Sequence, residues 1–153
     1  MKKPIQEQSF WDKRIQEAMN ANQLRLSVFR TSEDKWHDIN IDHKRILEKN
    51  LSSGDVVLDA GCAYGRLSEF MPHDVDYTGV DQCQQFIQMA KDLYPSSNFQ
   101  TGDLCDLDFD DNQFDWAVCV SVMDMVIENS GMEMWREIQA ELLRVSRNGI
   151  LSL

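Results

Sequence analysis

Three aspartates carry the most chemistry in this sequence, and they are evenly spaced. Asp59 follows the apolar run Val56-Val57-Leu58, Asp81 lies 22 residues further on, and Asp103 another 22 residues beyond that. After the first of them comes Asp59-Ala60-Gly61-Cys62-Ala63-Tyr64-Gly65-Arg66. A turn so rich in small residues lets the backbone approach a ligand closely. A carboxylate at Asp81 suits a ribose diol, which offers two hydroxyl donors to one acceptor group. A carboxylate at Asp103 can accept from an exocyclic adenine amine. Singly, each acid also reads as a helix cap or a solvated loop residue, and the turn as an ordinary strand–helix connection. Three acids at the ends of three successive strands are harder to set aside.

The elements that would hold these acids alternate. Val56 to Ala60 is a continuous apolar run with an acid near its end, as expected of a buried parallel strand. A short helix is predicted after Gly65, ending before Pro72. Tyr77 to Asp81 reads as a second strand, Gln84 to Tyr94 as a helix stopped by Pro95, and Asn98 to Thr101 as a third strand leading into Gly102-Asp103. Phe114 to Val122 reads as a fourth strand. Ser130-x-x-Glu133 has the capping-box pattern and is predicted to open a helix reaching about Ser146, with Gly149 as its C-cap and 150–153 as a fifth strand. Such alternation predicts an α/β fold: a mostly parallel sheet with helices on both faces and right-handed crossovers. Ligands of such sheets bind beyond the carboxyl ends of the strands, where strand order reverses. The chain divides into an N-terminal helical segment, 1–51, and this alternating core, 52–153. In the first segment Phe10, Ile15, Met19 and Leu24 have helical spacing, and a second helix is predicted from Asp42 to Asn50 with Ile41, Ile46 and Leu47 inward. The stretch from Ser27 to His37 is too irregular for one long helix.

Composition narrows the function classes. The chain has 153 residues, enough for one domain with a real core. Hydrophobic residues at 42% and charged residues at 27% match a soluble globular protein and exclude a disordered chain or a fibre. No apolar run approaches the roughly 20 residues of a membrane span, and the N-terminus lacks the apolar core of a signal peptide, so the expected location is the cytoplasm. A net charge of −11 repels a phosphate backbone, which argues against nucleic acid and for a cationic ligand. Cys62, Cys83, Cys105 and Cys119 form no C-x-x-C pair, so no metal site is expected. Cys62, Cys83 and Cys105 do all follow strands, which keeps a soft-metal or arsenic-type acceptor in view beside the plainer reading of small residues in turns. A dinucleotide fingerprint would need glycine at 63 and 66, where Ala63 and Arg66 stand.

With these residues in place, the sequence resembles the class I S-adenosylmethionine (SAM) dependent methyltransferases. The family's glycine-rich motif is similar to Val56-Val57-Leu58-Asp59-Ala60-Gly61-Cys62-Ala63-Tyr64-Gly65, its ribose-binding acid to Asp81 in Tyr77-Thr78-Gly79-Val80-Asp81, and its adenine-contacting acid to Asp103, backed by Leu104. Phe114 to Val122 looks like its fourth strand and Glu141-Leu142-Leu143-Arg144-Val145 like the helix before its fifth. The resemblance covers roughly 52–153. It implies a three-layer Rossmann-like sandwich, with SAM as cofactor and S-adenosylhomocysteine as product. The implied cofactor residues are Asp59, Ala60, Gly61, Cys62, Ala63, Gly65, Arg66, Asp81, Gln82, Gly102, Asp103, Leu104 and Ser121. The family has glycine where Ala63 stands, and one methyl is tolerable there if φ is negative. The family core also continues past its fifth strand, whereas this sequence stops at Leu153, so the fold is expected to be shortened there. The fifth strand would then be an open edge, where a second copy is expected to pair.

Methyl transfer from a sulfonium is an in-line displacement in which orientation can supply much of the acceleration, and a base is needed only for a protonated acceptor. His37, beside Trp36, and Asp124 are the candidate catalytic residues; a surface histidine and a cap or loop acid are their plainer readings. His43 is expected on a polar helix face. Trp11, Phe29 and Trp36 could form a lid, and Arg30 could pair with the cofactor carboxylate, which suits a guanidinium. The implied reaction is methylation of a small-molecule or peptide-sized acceptor whose specificity resides in 1–51. The alternative is a non-catalytic SAM-binding or partner subunit that activates another methyltransferase. A base-directed nucleic-acid methyltransferase is disfavoured by charge and by Ser121-Val122-Met123-Asp124, where such enzymes carry a Pro-Pro tetrad.

Overall fold

The computed structural model describes Lys13, Ile15, Gln16 and residues 32–153. Five parallel strands form one sheet: β1 (Val56–Ala60), β2 (Asp76–Asp81), β3 (Asn98–Thr101), β4 (Trp116–Cys119) and β5 (Ile150–Ser152), in the order β3-β2-β1-β4-β5. The chain builds outward from β1 to β3 on one side and then returns to place β4 on the other. The order therefore reverses at β1, and in such sheets the ligand region lies beyond the carboxyl ends of the strands around that reversal. β3 and β5 are the sheet edges.

β1 is central because it can be buried on both faces. Leu58 and Ala60 pack with Val80, Ala117 and the helices α3 (Val122–Ser130) and α4 (Met132–Val145), through Val126, Ile138 and Leu142. Val57 on the opposite face packs with Val118, with Leu67 of a 3-10 turn (Arg66–Phe70), and with Leu47 of α1 (Glu33–Asn50) and Leu51 beyond it. α2 (Gln84–Leu93) lays Ile87 and Ala90 against Tyr77 and Phe99. Fully burying one such aliphatic or aromatic side chain contributes about 1.5–3 kcal/mol. The β1–β4 pairing is fastened by Asp115, whose Oδ2 accepts from Val56 N–H at 2.9 Å and whose Oδ1 accepts from Arg147 at 2.8 Å. The Val56 amide and the Arg147 guanidinium hold this carboxyl below its usual range. No helix among the described residues is long and apolar enough to cross a membrane.

The sheet follows the sequence expectation, and four local readings change. First, α1 begins at Glu33, not Asp42, and runs for 18 residues. Its inward stripe is Trp36, Asn40, His43 and Leu47, two of them polar, so apolar periodicity alone does not reveal it. Ile41, expected inward, is 52% exposed. Second, β4 covers only Trp116–Cys119. Phe114 makes an isolated bridge to Ser146, and Ser121, at φ 55°, turns the chain out of the strand into a helix that the sequence reading missed. Third, Ser130 does not cap α4: it is the last residue of α3, and Gly131 separates the two helices. Fourth, Gly149 is not the C-cap of α4. That helix ends at Val145, Ser146 Oγ donates to Leu142 O at 2.6 Å, and Gly149 lies in the turn into β5.

Candidate functional site

The loop after β1 is held from below by β2. Gly61 N–H and Cys62 N–H both donate to Val80 O, at 2.8 and 3.0 Å, and Gly65 N–H donates to Cys62 O at 2.9 Å. Gly61 and Gly65 have φ of 78° and 83°. Their missing side chains make room inside the protein rather than for a ligand. A Cβ on Gly61 would lie 2.5 Å from Val122 Cγ2, and one on Gly65 would lie 2.6 Å from the Phe99 ring. Val122 opens α3, so the same close approach sets the start of α3 against the loop. Exposed Ser121, Met123 and Asp124 thus border it.

Ala63 also lies in the left-handed region, at φ 48°, so the expectation of a negative φ there fails. For an alanine that conformation costs about 1–2 kcal/mol, partly offset in a glycine by its greater freedom when unfolded. Ala63→Gly should therefore stabilise the protein by about 0.5–1 kcal/mol, seen as a rise of a few degrees in Tm. A drop in Tm would mean that the methyl packs usefully.

Asp81 ends β2 and ties three segments together. Its Oδ2 accepts from Ala63 N–H at 3.0 Å and its Oδ1 from Cys83 N–H at 2.8 Å. The carboxylate thus joins the loop, the end of β2 and the start of α2. It is half-buried, and burial pushes its carboxyl up while the two amides pull it down. Each oxygen keeps a lone-pair direction for a further donor. Asp81 is therefore part of the fold's own bonding as well as a candidate ligand group. Asp103 is exposed, with Oδ1 accepting from Cys105 N–H at 2.9 Å, and it keeps acceptor capacity towards solvent.

Asp59 is buried within the sheet face, and its Oδ2 accepts from the Tyr77 hydroxyl at 2.7 Å. Burial pushes this carboxyl up to about 7. Tyr77 was not singled out from sequence, and nothing about a tyrosine at the start of an apolar strand would have done so.

Arg66 is buried and faces α1. Its Nη1 donates to Asn40 Oδ1 at 2.6 Å, its Nη2 lies 3.2 Å from His43 Nδ1, and its guanidinium sits 5.0 Å from the Trp36 ring centroid. This accounts for the polar centre of the α1 stripe, and it means that His43, expected on a polar face, lies half-buried against the core. His43 is lowered to about 4, first by burial and then by Arg66. The neutral ring is the native form. Below its ordinary value of 6.5 the unfolded chain binds a proton that the native chain does not, so stability is full above that pH and declines as pH falls towards 4. The free energy of urea unfolding should fall over this window. His43→Gln, which keeps an acceptor for Arg66 and cannot be protonated, should delay it; an unchanged profile would place the acid sensitivity elsewhere.

The remaining sequence candidates fall as follows. Ala60, Cys62 and Leu104 are buried side chains of the core, Gln82 is half-buried beside Asp81, and Gly102 N–H donates to Asp81 O at 3.1 Å. Trp36 packs with Ile15, Tyr64, Cys83 and Phe86 and so forms wall rather than lid. His37 is exposed on α1, whose tie to the loop runs through Trp36, Asn40 and His43. Arg30, Trp11, Phe29, Phe10, Met19 and Leu24 lie outside the described residues. Cys62 and Cys119 are buried thiols pushed up by burial, Cys119 to about 12, and Cys105 Sγ lies 3.2 Å from Met134 Sδ. Among the described residues no three His, Cys, Asp or Glu side chains converge on a metal position, which leaves the soft-metal idea without support.

A parallel sheet whose strand order reverses at β1, a tight loop after β1 and an acid bridging that loop from the end of β2 define a Rossmann-like domain. A family model described as a methyltransferase domain matches residues 58–152, and the chain belongs to this family, the class I methyltransferases. S-adenosylmethionine is the cofactor that goes with it. The chain is 30% identical over 116 residues to phthiotriol/phenolphthiotriol dimycocerosates methyltransferase of Mycobacterium tuberculosis, a match covering 72% of this chain and 40% of that protein. It therefore spans well under half the length of the curated relatives it matches. A protein from Pyrococcus horikoshii has the same fold at TM-score 0.65 and 20% identity, covering 80% of this chain and 58% of its own. A TehB-like SAM-dependent methyltransferase from Corynebacterium glutamicum superposes at TM-score 0.59 and 22% identity, covering 78% and 68%.

Proposed function

We propose that this chain binds SAM in the crevice beyond β1, β2 and β3 and directs methyl transfer to a small, largely apolar acceptor. When bound, SAM supplies a methyl group already activated on a sulfonium. The observation that carries the reading is Asp81, a half-buried carboxylate at the end of β2 that accepts two backbone N–H groups and retains lone pairs for a diol. Asp103, exposed after β3, takes the base amine. The Gly61–Arg66 loop, locked to Val80 and Asp81, supplies a surface that does not have to reorganise when the ligand arrives. Gln82, Gly102 and Ser121 line the rim, and Arg30 pairs with the carboxylate of the methionine end. Asp124, in the first turn of α3 beside the loop, is the base for an acceptor that must lose a proton; His37 on α1 is the second candidate. Met123 and Met132 are exposed apolar side chains on α3 and α4, and flexible thioethers adapt to apolar ligands. The lipid named for the mycobacterial relative agrees with such an acceptor.

Calorimetric titration with SAM, S-adenosylhomocysteine and NAD tests the first half. Both adenosyl compounds should bind and NAD should not. Binding without methyl transfer to any of a panel of apolar alcohols and phenols would favour a non-catalytic partner subunit instead. Failure of both adenosyl compounds to bind would sink the reading.

A further inference from the structure

Asp59 is 1% exposed, and its Oδ2 is held from β2 by the Tyr77 hydroxyl at 2.7 Å. Gly79, the register partner of Asp59, makes this arrangement possible: a Cβ there would lie 2.9 Å from both the Tyr77 hydroxyl and Cys62 Sγ. The Phe99 ring meets Tyr77 edge-on, with centroids 5.6 Å apart, and fixes the phenol. Among the described residues no ion pair reaches Asp59. A phenol donor is not a counter-charge, and a buried carboxyl without one keeps its proton more readily than a solvated one. The other ionisable groups that act on it are Cys62 in the loop, Arg66 in the 3-10 turn, Asp81 at the end of β2 and Cys119 on β4. Burial keeps both thiols neutral. Arg66 favours ionisation of Asp59 and Asp81 opposes it. Asp59 thus lies two residues before Gly61, beneath a loop expected to carry a cation.

We propose that Asp59 and Tyr77 form a proton-linked anchor for a cationic ligand on the Gly61–Arg66 loop. Asp59 holds its proton while the loop is empty and releases it to solvent when a positive charge arrives, becoming the missing counter-ion. Tyr77 is a positioning residue: its hydroxyl steadies the carboxylate that forms. The identity of the cation as SAM rests on the methyltransferase reading above; the proton on Asp59 in the free protein does not.

Two measurements test the anchor. In the free protein, the carbon-13 signal of the Asp59 carboxyl, assigned by its disappearance in Asp59→Asn, should titrate near neutral pH. A midpoint near 4 would overturn the proposal whether or not SAM binds. Titration with SAM in two buffers of different ionisation enthalpy should then show proton release near pH 6.5. With a free-state midpoint of about 7, affinity should rise about tenfold from pH 6 to pH 8. Asp59→Asn should abolish both the proton release and that dependence. Tyr77→Phe should keep the dependence and move it to higher pH; weaker binding with an unmoved midpoint would reduce Tyr77 to packing. Asp81 is also pushed up by burial, so proton release that survives in Asp59→Asn would assign the linkage to Asp81 and overturn the anchor. SAM binding with no proton exchange would do the same and leave the methyltransferase reading intact. Absence of SAM binding at every pH would remove both.

Discussion

Gly61→Ala is expected to lose roughly 2–5 kcal/mol of stability in urea unfolding, a large effect for one methyl group. Two separate terms contribute. A left-handed backbone costs a non-glycine residue about 1–2 kcal/mol, and forcing a carbon into a filled space typically costs about 1–3 kcal/mol. The space is filled by Val122 Cγ2, 2.5 Å from where the new carbon would sit. The two terms separate in a double-mutant cycle. Val122→Ala makes a small cavity of its own, yet combined with Gly61→Ala it should recover about 1–2 kcal/mol, since the clash disappears while the backbone strain stays. Additive losses would mean that α3 simply moves aside. Gly61→Val should do more, displacing the start of α3 and with it Ser121 and Asp124, and should abolish binding of adenosyl ligands.

Asp81→Ala is the second large effect, and it acts on stability and binding together. The Ala63 and Cys83 amides each lose their acceptor. An unsatisfied buried donor costs about 1–3 kcal/mol, and water can partly replace a half-buried carboxylate, so a loss of roughly 2–4 kcal/mol in total is expected. Affinity for SAM should fall at least tenfold in protein that is still folded, as judged by circular dichroism. Asp81→Asn keeps one acceptor oxygen and should lie between. If stability falls and affinity does not, Asp81 is only the rivet between loop and α2, and the diol is held by another group.

What could be read from the sequence was whatever depends on local pattern. β1 and its acid follow from an apolar run closed by Asp, because a strand buried on both faces has no other periodicity to show, while β2 and β3 are marked by short β-prone stretches set between turn residues and a helix stopped by Pro95. The N-terminal helix was misjudged because its stripe passes through Asn40 and His43. These are polar residues made acceptable by Arg66, which is 23 positions from His43 in the chain. The Ser130 cap failed for a similar reason: its pattern is local, while the chain actually reverses at Ser121 and Gly131. The glycines were recognised and their purpose was not. Sequence suggested room for a ligand, whereas Gly61 and Gly65 make room for Val122 and Phe99. Tyr77 was invisible because its value lies entirely in reaching across to Asp59 from the neighbouring strand.

The strand order also bears on how the chain emerges from the ribosome. β1, β2 and β3 are complete by Thr101, and they can pair side by side as they appear. The other edge of β1 has no partner until β4 arrives, and the clamp that secures it joins Val56 to a residue 59 positions later. For that interval the nascent chain displays an open edge on its central strand, the type of surface on which chains pair wrongly with one another. Production of this protein should therefore be limited less by the stability of the finished sheet than by the time its central strand spends waiting.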